Sequence, residues 1–345
     1  MKVLGIESTC DETAAAVIDG EQILSNVIAS QIDIHKEFGG VFPEIAAREH
    51  LRVILPTIKL ALVQAKLEGE SETFADLARQ VEAIAIANRP GLIGGLMIGA
   101  MTARTIAETL GIPLVAVDHV YAHIYGVEPS AMRFPLLALV VSGGHTTIYS
   151  LKSHTEYEIL GETRDDAVGE AFDKAAKILG LPYPGGPSIS KAAAAALGAH
   201  DVQLLPFPKL DNPYEFSFSG LKTAFLRRAQ ELAGGDFRMP SEEIADLLSD
   251  DQKNQLAYTF QESAVKILLN ALEKADQEFS PQQIIISGGV AANGRLRERA
   301  GELFGDKLLL PDLSLSTDNA VMIARAALAM GLPKTDPREL RVTPN

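Results

Sequence analysis

The sequence contains one cysteine, Cys10, among 345 residues. A single thiol excludes an internal disulfide framework and any cysteine-rich zinc module, and it fits a reducing compartment. No stretch approaches the roughly 18 consecutive apolar residues of a membrane-spanning helix. The most apolar segment, 83–101, is broken by Asn88, Arg89 and Pro90. Glu7 and Asp11 interrupt any apolar leader near the N-terminus, so a cytoplasmic protein with no membrane association is expected. Basic residues are scarce: 31 Lys and Arg stand against 45 Asp and Glu, a net charge of −14. That excludes a global basic footprint for nucleic acid, and any RNA contact must use a local basic patch or a partner protein. A Walker A loop is absent. A metalloprotease H-E-x-x-H motif is absent too, because Val120 stands at the general-base position between His119 and His123.

What remains is a globular composition, 47% hydrophobic and 22% charged. At roughly 150 residues per domain the length predicts about two domains. The chain opens with a strand at Val3–Glu7, a polar turn at 8–13, a strand at Ala14–Ile18, a hairpin signal at Asp19-Gly20 and a strand at Gln22–Ala29. Helical spacing follows at 44–66 and 72–79. A buried strand, Val81–Ala87, then runs into the Gly-bearing turn 88–95. A helix at 96–110, a strand at Leu114–Val117 and a helix at 119–126 follow.

The second half repeats this order. Strands are expected at Leu136–Val141, Thr147–Lys152 and Tyr157–Thr163, with the first turn at Ser142–Thr146. A strand at Ile284–Ile286 enters the turn 287–294, then come a helix at 295–304, a strand at Lys307–Leu310 and a helix at Asn319–Met330. The matched order predicts an internally duplicated α/β protein. We assign an N-terminal lobe to 1–130, with a helix at 319–335 packing back on it. A C-terminal lobe takes 131–330, with a helix-rich insert at 165–280. Two such lobes are expected to face one another across a ligand cleft lined by the polar first turns.

Several groups could carry chemistry. The three Gly-bearing turns allow backbone N–H groups to approach phosphate. His119 and His123 are spaced i, i+4 and share a helix face, which suits one metal ion. Asp318 follows the last strand of the second lobe, as His119 follows that of the first, and is a candidate third ligand; its plain alternative is a helix N-cap. Asp11 and Glu12 are adjacent carboxylates in the first turn, candidates for moving a proton or else a solvated turn. Phe216–Thr223 mixes aromatics, hydroxyls and Lys222, and with Arg227 and Arg228 offers a local basic patch for RNA. The Phe residues themselves are expected in the core.

These motifs resemble a known family. Residues Arg104-Thr105, Leu110–Val115 and His119–Ile124 are similar to the signature of the TsaD family, once described as glycoproteases. The likeness extends through Gly5–Thr13, Gly40–Glu44, Val141–Thr146, Ala171–Lys174, Tyr183–Pro187, Phe216–Thr223, Gly288–Asn293 and Ser316–Ala320. The resemblance implies an actin/sugar-kinase/Hsp70-like (ASKHA, RNase H-like) fold. It implies transfer of threonylcarbamoyl from threonylcarbamoyl-AMP to N6 of the adenosine 3′ of the anticodon, position 37, in tRNAs reading codons that begin with A. It implies that His119, His123 and Asp318 hold a divalent metal, iron first and zinc or magnesium as alternatives. It assigns Val140, Val141, Ser142, Gly143, Gly144, His145, Asp173, Gly186 and Asn293 to an ATP, AMP or acyl-adenylate ligand. It implies work with the paralogue TsaB and the ATPase TsaE, on an intermediate made by TsaC. The sequence departs from the family at Asn88-Arg89-Pro90-Gly91, where Arg89 replaces a glycine, so a reshaped turn or an added phosphate contact is expected there. The alternatives are a small-molecule kinase of the same fold with Asp11 as base, and a nucleotide-binding module without transfer chemistry.

Overall fold

The computed structural model describes residues 1–66, 73–196, 203–207 and 210–344. In chain order it opens with β1 (Lys2–Glu7), β2 (Glu12–Asp19), β3 (Gln22–Ser30), α1 (Ile32–Lys36), α2 (Pro43–Gln64) and α3 (Phe74–Ala78). It continues with β4 (Ala83–Arg89), α4 (Ile93–Leu110), β5 (Leu114–Asp118) and α5 (His119–Ala122). Then come β6 (Leu136–Val141), β7 (Thr146–Leu151), β8 (Tyr157–Glu162), α6 (Val168–Ile178), α7 (Gly185–Ala194), α8 (Ser219–Leu232), α9 (Ser241–Leu247) and α10 (Asp250–Phe279). The order ends with β9 (Gln283–Ser287), α11 (Gly294–Phe304), β10 (Leu308–Leu309) and α12 (Ala320–Ala329). Of the helix expected at 72–79, residue 72 lies outside the described residues, as do 197–202 and 208–209 of the expected insert.

The chain forms two compact units, Met1–Met132 with the stretch from Pro311, and Arg133–Leu310. Unit 1 holds a sheet ordered β3-β2-β1-β4-β5, and unit 2 one ordered β8-β7-β6-β9-β10. In both, the first two strand pairs are antiparallel and the last two parallel. The two sheets therefore share one topology, as the repeated order of elements predicts.

In unit 1, β1 and β2 are buried along nearly their whole length, because helices cover both faces of the sheet. Ala14 and Ala16, on one face of β2, leave room for α12 to lie on β1 and β2. Gly5 does the same on β1: a Cβ there would run into the carbonyl oxygen of Ala320, the first residue of α12. This close approach brings the start of α12 onto the strand that ends at Glu7. In unit 2 the expected insert is helical, and α6, α7, α8 and α10 build the core around Phe172, Phe216, Phe218, Phe225 and Phe260. α10 opens with a capping box: Ser249 accepts from the Gln252 N–H while the Gln252 side chain accepts from the Ser249 N–H.

Two local expectations change. The turn drawn over 88–95 is shorter, since α4 begins at Ile93 and takes in Gly94 and Gly95. Their missing side chains serve packing: a Cβ on Gly95 would strike the Ser8 carbonyl, and one on Gly94 would lie 2.7 Å from Ala47 Cβ. The helix expected at 119–126 is one α-turn followed by a 3₁₀ turn over His123–Gly126, where Tyr125 leaves helical geometry at φ −90°, ψ 15°.

Candidate metal centre and nucleotide turns

In unit 1, β5 ends at Asp118, whose carboxylate accepts from the Tyr121 N–H at 3.0 Å and so caps α5. This sets His119 at the first helical position and His123 one turn further on. Asn319 caps α12 by accepting from the Met322 N–H at 3.1 Å. The cap role in Ser316–Asn319 thus falls to Asn319, and Asp318 is left to face the histidines. Its Oδ1 lies 3.3 Å from His123 Nε2 and 3.7 Å from His119 Nε2. One ligand atom from each of the three residues lies within 4.8 Å of the others. Arg325, buried on α12, donates to the Gly126 carbonyl at 3.3 Å and ties the 3₁₀ turn after His123 to the helix that follows Asp318.

The donor set fits a metal ion. His123 is buried, and among the described residues neither of its ring nitrogens has a hydrogen-bond partner, a costly arrangement for an imidazole unless an ion takes one of them. His119 is differently placed. Its Nδ1 donates to Glu7 Oε2 at 2.8 Å and lies 3.2 Å from the Thr9 hydroxyl, so Nε2 is the nitrogen turned to Asp318. Burial pushes the His119 pKa down, but the carboxylates of Glu7 and Asp318 outweigh it and raise it to about 9. A proton and a metal ion therefore compete for this ring.

Asp11 lies in the turn between β1 and β2, and Glu12 is the first residue of β2. Burial raises both carboxyls and the Asp318 charge raises them further, Glu12 to about 8. Glu12 Oε1 accepts from Ser30 Oγ at 2.9 Å, while Oε2 is buried without a hydrogen-bond partner among the described residues. His50, on α2, fixes the turn from below, with Nδ1 2.7 Å from Thr13 Oγ1 and Nε2 2.9 Å from the Cys10 carbonyl. Arg89 closes β4 and pairs its Nε with Asp118 Oδ2 at 3.2 Å, next to His119. Its guanidinium is thereby engaged within unit 1.

Unit 2 carries the other expected residues. Ser142–His145 is a closed turn, with the Ser142 N–H donating to the His145 carbonyl at 2.8 Å and the His145 N–H to Ser142 Oγ at 3.1 Å. Gly143 and Gly144 are exposed, and a Cβ on either would meet nothing within 4 Å, as would one on Gly186. These are open backbone surfaces that a ligand can approach. Val140 and Val141 lie fully buried in β6 and present no side chain to a ligand. Asp173 accepts from the Gly185 N–H at 2.7 Å, which joins α6 to the start of α7 beside Gly186. Asn293 caps α11 through the Leu296 N–H and donates to Ser190 Oγ and Gln261 Oε1, both at 2.9 Å. Its side chain is thus committed to joining α7, α10 and α11. Gly288 sits at φ +91°, where L side chains rarely go, and packs against the Val141 carbonyl.

The RNA patch is rearranged. Phe216 and Phe218 are fully buried and stack on each other at 6.3 Å, so neither offers a platform for a base. Lys222 pairs with Asp166 at 2.8 Å, and Asp165 accepts from Ser217, Phe218 and Ser219 at the start of α8. Arg227 and Arg228 are exposed on α8 and line a groove of about 1180 Å³ with Lys222 and Thr223.

The profile of the TsaD family, tRNA N6-adenosine threonylcarbamoyltransferase, matches residues 22–325. The chain belongs to the TsaD family. It is 46% identical over 327 residues to the tRNA N6-adenosine threonylcarbamoyltransferase of Dehalococcoides mccartyi strain BAV1, covering 94% of this chain and 92% of that protein. It is 44% identical over 333 residues to that of Symbiobacterium thermophilum, covering 94% and 90%. Among solved structures, HypF of T. kodakarensis matches 96% of this chain and 47% of its own, with a TM-score of 0.57 and 13% identity. Component A of the Acidaminococcus fermentans (R)-2-hydroxyglutaryl-CoA dehydratase matches 96% and 99%, with a TM-score of 0.50 and 13% identity. These likenesses show the fold alone: two mixed-sheet units, here in a TsaD-family chain. In this TsaD chain, sequence reasoning singled out the triad but passed over Glu7, Thr9 and His50. The available signal was Glu7 itself, a carboxylate closing a strand that otherwise reads as fully buried.

Proposed function

We propose that this protein transfers the threonylcarbamoyl group from threonylcarbamoyl-AMP to N6 of adenosine 37 in tRNAs reading codons that begin with A, and releases AMP. The observation that carries this reading is the His119–His123–Asp318 cluster in a TsaD-family acyltransferase chain. Two imidazoles and one carboxylate favour iron or zinc over magnesium, which prefers oxygen donors. A divalent ion held there supplies Lewis-acid stabilisation of charge developing on the acyl-adenylate. Asp11 and Glu12 then divide the proton work. With its carboxyl raised to about 8, Glu12 is mostly protonated at pH 7 and donates a hydrogen bond. Asp11 takes the proton that leaves N6 as the amine attacks. The open backbone at Gly143, Gly144 and Gly186 receives the nucleotide phosphate and holds AMP as it departs.

The exposed Arg227 and Arg228 contact tRNA phosphates together with Lys222, Arg228 and Lys222 having first to leave their pairs with Glu231 and Asp166. Protein partners cover apolar surface. Leu51 and Leu55 on α2, and Met97 and Met101 on α4, are exposed i, i+4 pairs. TsaB and TsaE are the partners we assign, with TsaC supplying the intermediate. Among the described residues no helix is long and apolar enough to cross a membrane, and we place the reaction in the cytoplasm.

The test is transfer of radiolabelled threonine from preformed threonylcarbamoyl-AMP to unmodified tRNA, by the chain alone and with TsaB and TsaE. Label in tRNA that disappears with His119→Ala is the expected result. No label with the partners present, alongside phosphate transfer from ATP to a small molecule, returns the kinase reading.

A further inference from the structure

Glu7 is the last residue of β1 and is fully buried. The duplicated unit provides an internal control for that position. Val141 is the last residue of β6, the equivalent central strand, and is also fully buried. The fold therefore accepts an apolar side chain at this point, and the unit with the His–His–Asp cluster carries a carboxylate instead. Both oxygens of that carboxylate are in use. Oε1 accepts from the Thr9 N–H at 2.6 Å, and Oε2 accepts from His119 Nδ1 at 2.8 Å.

We propose that Glu7 is a positioning residue that fixes the ring tautomer of His119, holding the proton on Nδ1 so that Nε2 presents its lone pair to a divalent metal ion. The inference rests on the metal reading of His119, His123 and Asp318. It follows from the donor count. A metal-bound imidazole uses one nitrogen, and the other must give its proton to an acceptor that sets the ring orientation. Thr9 Oγ1, at 3.2 Å from Nδ1, is a longer and weaker second contact. Because the same carboxylate holds the Thr9 N–H, it also couples the ring to the turn that carries Asp11 and leads into Glu12.

Glu7→Gln makes the argument sharp, since a side-chain amide has one acceptor oxygen and here two are needed. If that oxygen stays with the Thr9 N–H, the amide NH2 faces Nδ1 and drives the ring proton to Nε2, which then cannot ligate. If it turns to His119, the Thr9 N–H is left facing another donor. Either way metal binding weakens.

The experiment uses the full chain and zinc at constant pH, with affinity measured by competition against a chromophoric chelator. Wild type is expected to bind one zinc that His119→Ala loses. Glu7→Gln is expected to bind it about 10- to 100-fold more weakly. Thr9→Val, which keeps the Glu7–His119 bond, stays within about 3-fold of wild type. The zinc-loaded wild-type protein needs no variant to fold: nitrogen-15 spectra of its imidazoles should show His119 protonated at Nδ1, with a downfield proton. Zinc bound at Nδ1, or unchanged affinity in Glu7→Gln, overturns the positioning role while leaving the metal site standing. Wild type that binds no zinc at His119 removes the metal reading and the inference with it.

Discussion

At the scale of single residues, unit 1 concentrates groups that cost free energy to bury. Among the described residues the His123 ring has no hydrogen-bond partner, Glu12 has one unpartnered oxygen, and Glu7 is fully buried. Such sites are expected where chemistry, rather than stability, sets the residue. Glu12 gives a direct stability test. Its carboxyl is raised from 4.5 to about 8, with burial the main cause. Between those values the folded protein keeps a proton that the unfolded chain has released, so stability falls as pH rises through this window. Glu12→Gln carries no such titration. In metal-free protein it should be more stable than wild type at pH 8.5, with the difference closing near pH 4.5. Urea unfolding at both values checks this, and a pH-independent difference would falsify it.

At the scale of elements, the strands and their turns were legible because short continuous apolar runs, buried along most of their length, are bounded by polar or Gly-bearing turns and the Asp19-Gly20 signal. The start of α4 was not. Gly94 and Gly95 look like a phosphate-binding turn in sequence, yet they are helical and thin the helix where it meets Ser8 and Ala47. Glycine has two uses here, and only the fold separates them. Gly95→Ala would press a methyl group into the Ser8 backbone and should cost about 2 kcal/mol or more, as overpacking does. Gly144→Ala meets open space and should change stability by less than about 0.5 kcal/mol. It should nonetheless weaken AMP binding, because the added methyl projects from backbone that the phosphate must approach. Thermal melts and AMP titration of the two variants should show opposite patterns; a nucleotide defect in Gly95→Ala without loss of stability would reverse the assignment.

At the scale of the whole molecule, the duplication was legible from the order of elements alone, and the two sheets share one strand order. It also made Asp318 visible, as the counterpart of His119 after the other lobe's last strand. It did not reveal Glu7, because comparing element order does not compare the end residues of β1 and β6, and that contrast marks the site. Charge at this scale decides how tRNA is held. A chain at −14 repels a polyanion, so attraction must come from a small area, and Lys222 is already paired. The isolated chain should bind unmodified tRNA only in the range of about 10⁻⁴–10⁻⁶ M at physiological salt. Removing Arg227 and Arg228 together should flatten the slope of log affinity against log salt by about 1.5, at roughly 0.7–0.9 per phosphate contact. Fluorescence anisotropy between 50 and 200 mM salt measures both quantities. Tight binding with a steep slope that survives Arg227→Ala/Arg228→Ala would place the RNA surface away from α8. A weak slope that falls in the double variant, and steepens when TsaB and TsaE are added, would mean that the partners supply the rest of the positive surface.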